Sequence, residues 1–422
     1  MAGGSSGSFA PGAPDAKGAA EPVPRPPFAL ILSITLTGIM ANTLITPVIP
    51  DIRDAFGVGT SATGLLLAAA TAPGILLAPV LGLLADRFGR REVVVPCLVI
   101  FGLTGGLAAF APSFEVLLAL RLAQGVGSAG LINLAVTIIG DQWEGAERTR
   151  YIGLNAAALT ASIFVLPPLG GLIASIGGWR ATFAPYWIGL VTAALIWRRL
   201  PRSTRVVVTF RTQLSEARPY VRTSTVLGAM GMAFLLFVAI FGLVLTVMPL
   251  YLADHFGVGA AGRGLMLAVP AVASTTAALN VSRVRIRIGT SGVLATSFAL
   301  FAACFTVIAL APSVFVIALA LLLYGAGEGL AIPTLQDTVA SAAPMRSRGA
   351  LVALFVGVSR AGQTTGPVVG GIGLDHIGAR ATFAVAAVCT VPVVLAQGLW
   401  RRRGGGPDRP GVVAASEGPS VP

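Results

Sequence analysis

The sequence predicts an all-α membrane protein with twelve transmembrane helices in two pseudo-symmetric bundles of six. Three observations carry this. Hydrophobic residues make up 55% of the 422-residue chain, charged residues 11%, and mean hydropathy is +0.85; a soluble domain carries about 25% charged residues. Apolar runs begin near residues 28, 61, 93, 115, 151 and 179, and again near 225, 262, 292, 314, 350 and 381. Each has the roughly 20 residues that cross a bilayer as a helix, the form in which backbone groups satisfy one another in lipid. Finally, the chain repeats itself at one offset of 200 residues. Phe56-Gly57-Val58-Gly59 with Gly64-Leu65 returns as Phe256-Gly257-Val258-Gly259 with Gly264-Leu265. Pro167, Gly170 and Gly171 return as Pro367, Gly370 and Gly371, and Arg180-Ala181-Thr182-Phe183 as Arg380-Ala381-Thr382-Phe383. A single offset means that whole halves are duplicated in the same order, the organisation expected of halves that rock about a central site.

The elements follow in order. Residues 1–27, rich in Gly, Ala, Ser and Pro, read as a disordered tail; 28–197 form the first bundle; 198–224 form a polar linker; 225–400 form the second bundle; and 401–422 form a second disordered tail. Alternate loops are basic. One set holds Arg87, Arg90, Arg91, Arg148, Arg150, Arg198, Arg199, Arg202, Arg205, Arg211, Arg218, Arg222, Arg283, Arg285, Arg287, Arg346, Arg348 and Arg401 to Arg403. The other holds only Arg53, Arg180, Arg263 and Arg380. By the positive-inside rule both termini and the linker are cytoplasmic, in a cell membrane of the bacterial inner-membrane type. The net charge of +12 is therefore topological: it faces lipid headgroups, and no separate basic domain offers itself to nucleic acid. Cys97, Cys304 and Cys389 fall in apolar runs and read as small buried hydrophobes. His255 and His376 lie near loops with no metal-binding spacing, so neither a metal nor a cofactor is expected.

Between the second and third spans lies Gly82-Leu83-Leu84-Ala85-Asp86-Arg87-Phe88-Gly89-Arg90-Arg91. Its glycines permit a tight turn, and Asp86 suits a neighbouring helix N-terminus. This segment resembles the signature loop of the major facilitator superfamily. The resemblance implies a cytoplasmic gate of Gly82, Asp86, Arg87, Gly89 and Arg90, with Asp141 as partner for Arg90. At the corresponding place in the second half, Ile286-Arg287-Ile288-Gly289 lacks the acid, so the lock is expected to be asymmetric. The fourth span carries Arg121-Leu122-Ala123-Gln124-Gly125-Val126-Gly127, which resembles a second superfamily motif found in many proton-coupled exporters. An arginine two turns inside a span is costly. It either biases a nearby acid or binds backbone carbonyls. The first span ends Pro47-Val48-Ile49-Pro50, resembling twelve-span drug:proton antiporters. The antiporter motif Gly-Pro-x-x-Gly-Gly is complete in the eleventh span, at Gly366, Pro367, Gly370 and Gly371. In the fifth span Leu166 replaces its first glycine, ahead of Pro167, Gly170 and Gly171. With Gly125 and Gly127, these residues read as packing and hinge positions.

Few ionisable residues lie deep in spans: Glu328 in the tenth, Arg360 in the eleventh, and Asp337 toward the tenth span's cytoplasmic end. A mid-bilayer carboxylate costs several kcal/mol unless paired, protonated or wet. Two readings stand level: Glu328 as the proton-coupling acid tuned by Arg121 or Arg360, or a permanent Glu328–Arg360 ion pair. Asn42, Gln124, Asn155, Gln336 and Gln363 are candidate polar contacts of a substrate cavity, or helix–helix glue. Sparse fixed polarity suits hydrophobic or amphipathic ligands better than sugars. The expectation is a secondary active transporter, proton-driven in the direction of efflux, partnered by a small-molecule substrate, protons and lipid, and working as a monomer. An uptake symporter or facilitator is the main rival. A membrane-embedded lipid enzyme would need a catalytic constellation, and a sensor a signalling domain; the sequence offers neither, and no phosphate-binding loop points to ATP.

Overall fold

The computed structural model describes residues 26–201 and 218–402. Most of both expected tails and most of the expected linker, with Arg202, Arg205, Arg211 and Arg403, lie outside the described residues. The first half runs α1 (Phe28–Thr43), α2 (Ile49–Phe56), α3 (Thr60–Phe88), α4 (Arg90–Leu107), α5 (Phe114–Ser128), α6 (Leu131–Gln142), α7 (Gly145–Ala181) and α8 (Ile188–Arg199). The second half begins with α9 (Ser224–Val238), the π-helical stretch Ala239–Val247, α10 (Met248–Phe256) and α11 (Ala260–Ala268). It ends with α12 (Pro270–Leu310), α13 (Val314–Ser341) and α14 (Met345–Arg402). The chain is an all-α, multi-span membrane protein.

Among the described residues, nine helical stretches are long and apolar enough to cross a membrane, where the sequence predicts twelve spans. The difference has a physical source. Ala260–Leu310 and Arg348–Leu399 are 51 and 52 residues long. At 1.5 Å per residue that is about 75 Å, more than twice the ~30 Å hydrocarbon core. Each is kinked at one glycine, Gly289 (φ 72°, ψ 168°) and Gly378 (φ 75°, ψ 166°). The remaining stretch, Ile188–Arg199, has only 12 residues, and a 3₁₀ turn at Ala184–Trp187 precedes it.

The repeat persists in the backbone. Among the described residues, six of the seven positive-φ glycines, all but Gly145, fall in pairs 200 residues apart: Gly57 and Gly257 (φ 64° and 62°), Gly89 and Gly289 (109° and 72°), Gly178 and Gly378 (73° and 75°). Side chains other than glycine resist this conformation, so equal turns fall at equal places. Two separate apolar cores match the halves. One is built from residues between Leu30 and Leu200, joined by Leu250; the other from residues between Val226 and Ala387.

Two seams join the halves: α3 packs on α14, and α7 packs on α11. Both are glycine-on-carbonyl contacts, and they are related by the same offset. A Cβ at Gly64 would lie 2.3 Å from the Pro367 carbonyl oxygen, and one at Gly264 would lie 2.5 Å from that of Pro167. Gly171 meets Ala260, while Gly371 meets Thr60 and Ser61. The residues that announce the repeat in the sequence are thus the residues through which the halves touch.

Candidate functional site

Charges tie the halves together at one end of the helices. The Arg53 guanidinium donates to both carboxylate oxygens of Asp254 (2.6 and 2.7 Å) and to Asp54 (2.8 Å). Two parallel bonds from a planar fork fix orientation as well as distance. Arg263, whose side chain is 4% exposed, donates to Asp51. The Ser61 amide, in the first turn of α3, donates to Asp375 (2.8 Å). In the sequence Arg53 and Arg263 stand only as members of the sparsely charged set of loops. The exact repeat partner of Asp54 is Asp254, and that coincidence was the available signal.

The opposite end carries the signature loop. Arg90 donates to Asp86 (2.5 Å) and to Asp141 (2.9 Å), so the expected partner is in contact. Gly89 makes the positive-φ turn between α3 and α4. Gly82 has open space where a Cβ would stand, so close helix approach does not explain it. Arg87 is exposed, with its guanidinium 5.4 Å from the centre of the Phe88 ring. The second half also has a pair here: Arg285 donates to Asp337. The acid lost from the loop is supplied by α13 instead. Each of these pairs stays within one half.

The first half buries a saturated arginine. Arg121 is fully buried, and its guanidinium donates to the Ala41 carbonyl (2.6 Å), Asn42 Oδ1 (2.7 Å), Gln124 Oε1 (2.5 Å) and the Leu66 carbonyl (3.4 Å). Tyr186 donates to the Met40 and Ala41 carbonyls beside it. Gly125 and Gly127 allow this: their absent Cβ atoms leave room for the carbonyls of Ala69 and Cys97, at 2.8 and 2.6 Å. Asn42 and Gln124 are therefore engaged by Arg121, and Asn155 accepts from Thr35 (2.7 Å). Gln336 is exposed, and Gln363 lies at the limit of bonding from Arg360 (3.5 Å).

Among the described residues Glu328 and Arg360 do not form an ion pair. On α13, Gly325 and Gly329 turn to Pro270 and Ser274, and Gly327 turns to Ser297 and Phe301. Glu328 falls between these two faces on the helix and is half-buried. On α14, Arg360 lies across Gly74 of α3: its Cδ, Nε and Cζ stand 3.5–3.7 Å from where a Gly74 Cβ would be. Gly366 and Gly370 turn a different face of α14 to Val238 and Gly242, and Gly170 admits the Leu44 carbonyl. An apolar cleft of about 270 Å³ opens along that face, lined by Leu235, Ala239, Phe301, Phe305, Val369 and Cys389 among others. None of the five candidate amides borders it.

Both halves of the chain match the Major Facilitator Superfamily, over residues 31–279 and again over 230–419. The chain belongs to the Major Facilitator Superfamily. It is thereby a multi-pass membrane transporter by family, with a fold not associated with catalysis. The tetracycline resistance protein, class B, of Escherichia coli is 26% identical over 358 residues, covering 82% of this chain and 88% of that protein. The bacillibactin exporter of Bacillus subtilis (strain 168) is 34% identical over 150 residues; the match spans 34% of this chain and 37% of that exporter. Among solved structures, a bacterial homolog of the human lysosomal transporter Spinster, inward-facing and unoccupied, has a TM-score of 0.71 at 18% identity. That alignment covers 90% of this chain and 96% of the other, and it speaks to the fold alone.

Proposed function

We propose that this chain is a secondary active transporter that exports small hydrophobic or amphipathic compounds in exchange for protons. It works by alternating access between two six-helix bundles. The observation that carries the reading is the offset-related pair of seams, α3 on α14 and α7 on α11, about which two equivalent halves can rock. Counting Ile188–Arg199 and splitting the overlong stretches at Gly289 and Gly378 gives twelve spans. The arginine-rich loops make the Asp86 end cytoplasmic. The halves are latched at the Arg53 end, so this conformation faces inward. The tetracycline resistance protein and the bacillibactin exporter among the relatives support efflux.

Glu328 is the coupling acid in this reading. It sits mid-helix with no arginine bonded to it, free to take and release a proton as its surroundings change. Arg121 and Arg360 are fixed positive charges on other helices. Asp86, Arg90 and Asp141 lock the cytoplasmic side when the halves rock the other way. The test is dye and antibiotic accumulation in a pump-deficient bacterial host expressing the chain, with and without a protonophore. Low accumulation abolished by the protonophore is the expected result, and Glu328→Gln should abolish it too. Gradient-driven export that survives Glu328→Gln intact would remove Glu328 from the mechanism. A second reading, uptake or facilitated diffusion, is favoured by one residue: Leu166 stands where the antiporter motif of the fifth span has glycine. Solute uptake by proteoliposomes separates the two.

A further inference from the structure

The two seams differ at one point. On α14 the residues facing α3 follow one stripe: Arg360 on Gly74, Thr364 on Thr71 (3.0 Å between hydroxyls), Pro367 on Gly64 and Gly371 on Ser61. The same stripe on α7, displaced by 200 residues, reads Thr160, Phe164, Pro167 and Gly171. The glycine and proline part is common to both seams, and the arginine belongs to only one. Architecture alone therefore does not require it.

Arg360 also differs from the other mid-membrane arginine. Arg121 has four acceptors and is sealed. Arg360 has one, Gln363 Oε1 at 3.5 Å, and no carboxylate lies within ion-pair distance of it among the described residues. A guanidinium has five N–H donors in a rigid fork suited to two acceptor oxygens. Glu328, the other ionisable group deep in this half, forms no ion pair with it. Gly74 supplies a flat floor for the arginine stem, and Thr71, Thr364 and Gln363 stand beside it. Arg360 thus lies on the boundary between the halves, part-way along both helices, with most of its hydrogen-bonding capacity unspent. A charge held there without a partner is expensive.

We propose that Arg360 is the substrate-binding group of this transporter, and that its substrates are amphipathic organic anions whose carboxylate pairs with the guanidinium fork. The proposal rests on the transport reading above and adds the charge of the cargo. Substrate binding then supplies the missing counter-charge at the plane where the halves part. Glu328, on a different helix, is left free to carry the proton.

The test is binding to the purified full chain in detergent, read by calorimetry. The probes are 1-naphthylacetate, 2-naphthoate and 4-biphenylcarboxylate, each with its methyl ester, together with 1-naphthylmethylamine. The expected result is that at least one acid binds, at least tenfold tighter than its ester and than the amine. Arg360→Gln should weaken that acid at least tenfold, and Arg360→Lys should fall between, since it keeps the charge and loses the fork. Gly74→Ile keeps the arginine but fills its floor, and should also weaken the acid, which guards against a misfolded Arg360→Gln. Binding of no acid, equal binding of acid and ester, preference for the amine, or undiminished acid binding by both Arg360→Gln and Gly74→Ile would overturn the proposal. Because no gradient is involved, an importer or facilitator would still bind the acid, so failure of the export reading shows separately in the accumulation assay.

Discussion

Replacing Gly64 or Gly264 with valine should drive the halves apart at the Arg53 end. A Cβ at Gly64 would stand 2.3 Å from the Pro367 carbonyl oxygen, and one at Gly264 would stand 2.5 Å from that of Pro167. Ordinary contact needs about 3.4 Å, so the backbones must retreat by ~1 Å on either seam. The obstacle in each case is backbone, which has no alternative rotamer. Overpacking of this kind costs about 1–3 kcal/mol. Because the strain exists only while the seam is closed, it shifts the balance toward the state open at the Arg53 end by roughly 5- to 150-fold. The assay is double electron–electron resonance between labels at Gly59→Cys and Gly259→Cys. Both are exposed N-cap positions with nothing, or only the Ser61 hydroxyl, within reach of a Cβ. Cys389, the exposed cysteine, is first replaced by alanine. Each glycine substitution should lengthen the label distance, and the two should act in the same direction because the seams are equivalent. An unchanged distribution in both variants would refute the contact geometry on which the argument stands.

Other outcomes follow from the charges. Asp51→Ala should depopulate the latched state about 30-fold, since it strands Arg263 (4% exposed) at a cost of about 2 kcal/mol; Asp254→Ala, removing a 47% exposed partner, should change it less than about fivefold. The same label pair reads both. Arg121→Lys should be as poorly folded as Arg121→Ala, losing about 3 kcal/mol or more, because one ammonium cannot span acceptors on α1, α3 and α5; thermal unfolding and size-exclusion profiles check this. Asp141→Asn should raise amide exchange around Gly89 more than Asp337→Asn raises it around Gly289. Arg90 is the more buried cation of the two pairs, 13% against 41% for Arg285.

Much of this architecture was legible in the sequence because the repeat is written in glycine and proline. Gly64, Pro167, Gly264 and Pro367 announce the duplication, and they are also the contacts that make it a machine, since a seam of backbone on backbone tolerates no other residues. The Arg90–Asp141 contact was legible through a motif. The Arg53–Asp254 pair was not, because it joins residues 201 apart whose meeting depends on how the bundles dock. Nor was the Arg285–Asp337 pair, because its members correspond to Ala85 and Thr137 in the first half, so neither is the repeat image of a charged partner there. The span count differed where a single glycine kinks an otherwise continuous helix, as at Gly289 and Gly378, which periodicity does not register.

The central claim is that two equivalent halves rock as units, so that opening one end closes the other. A second label pair, Thr149→Cys with Gly349→Cys, sits on exposed positions of α7 and α14 related by the same offset, near the Asp86 end. The decisive measurement is both distances in the Gly64→Val background. The account predicts that the 59–259 distance lengthens while the 149–349 distance shortens. If both lengthen together, the bundles splay rather than rock, and the claim of alternating access about these seams is contradicted.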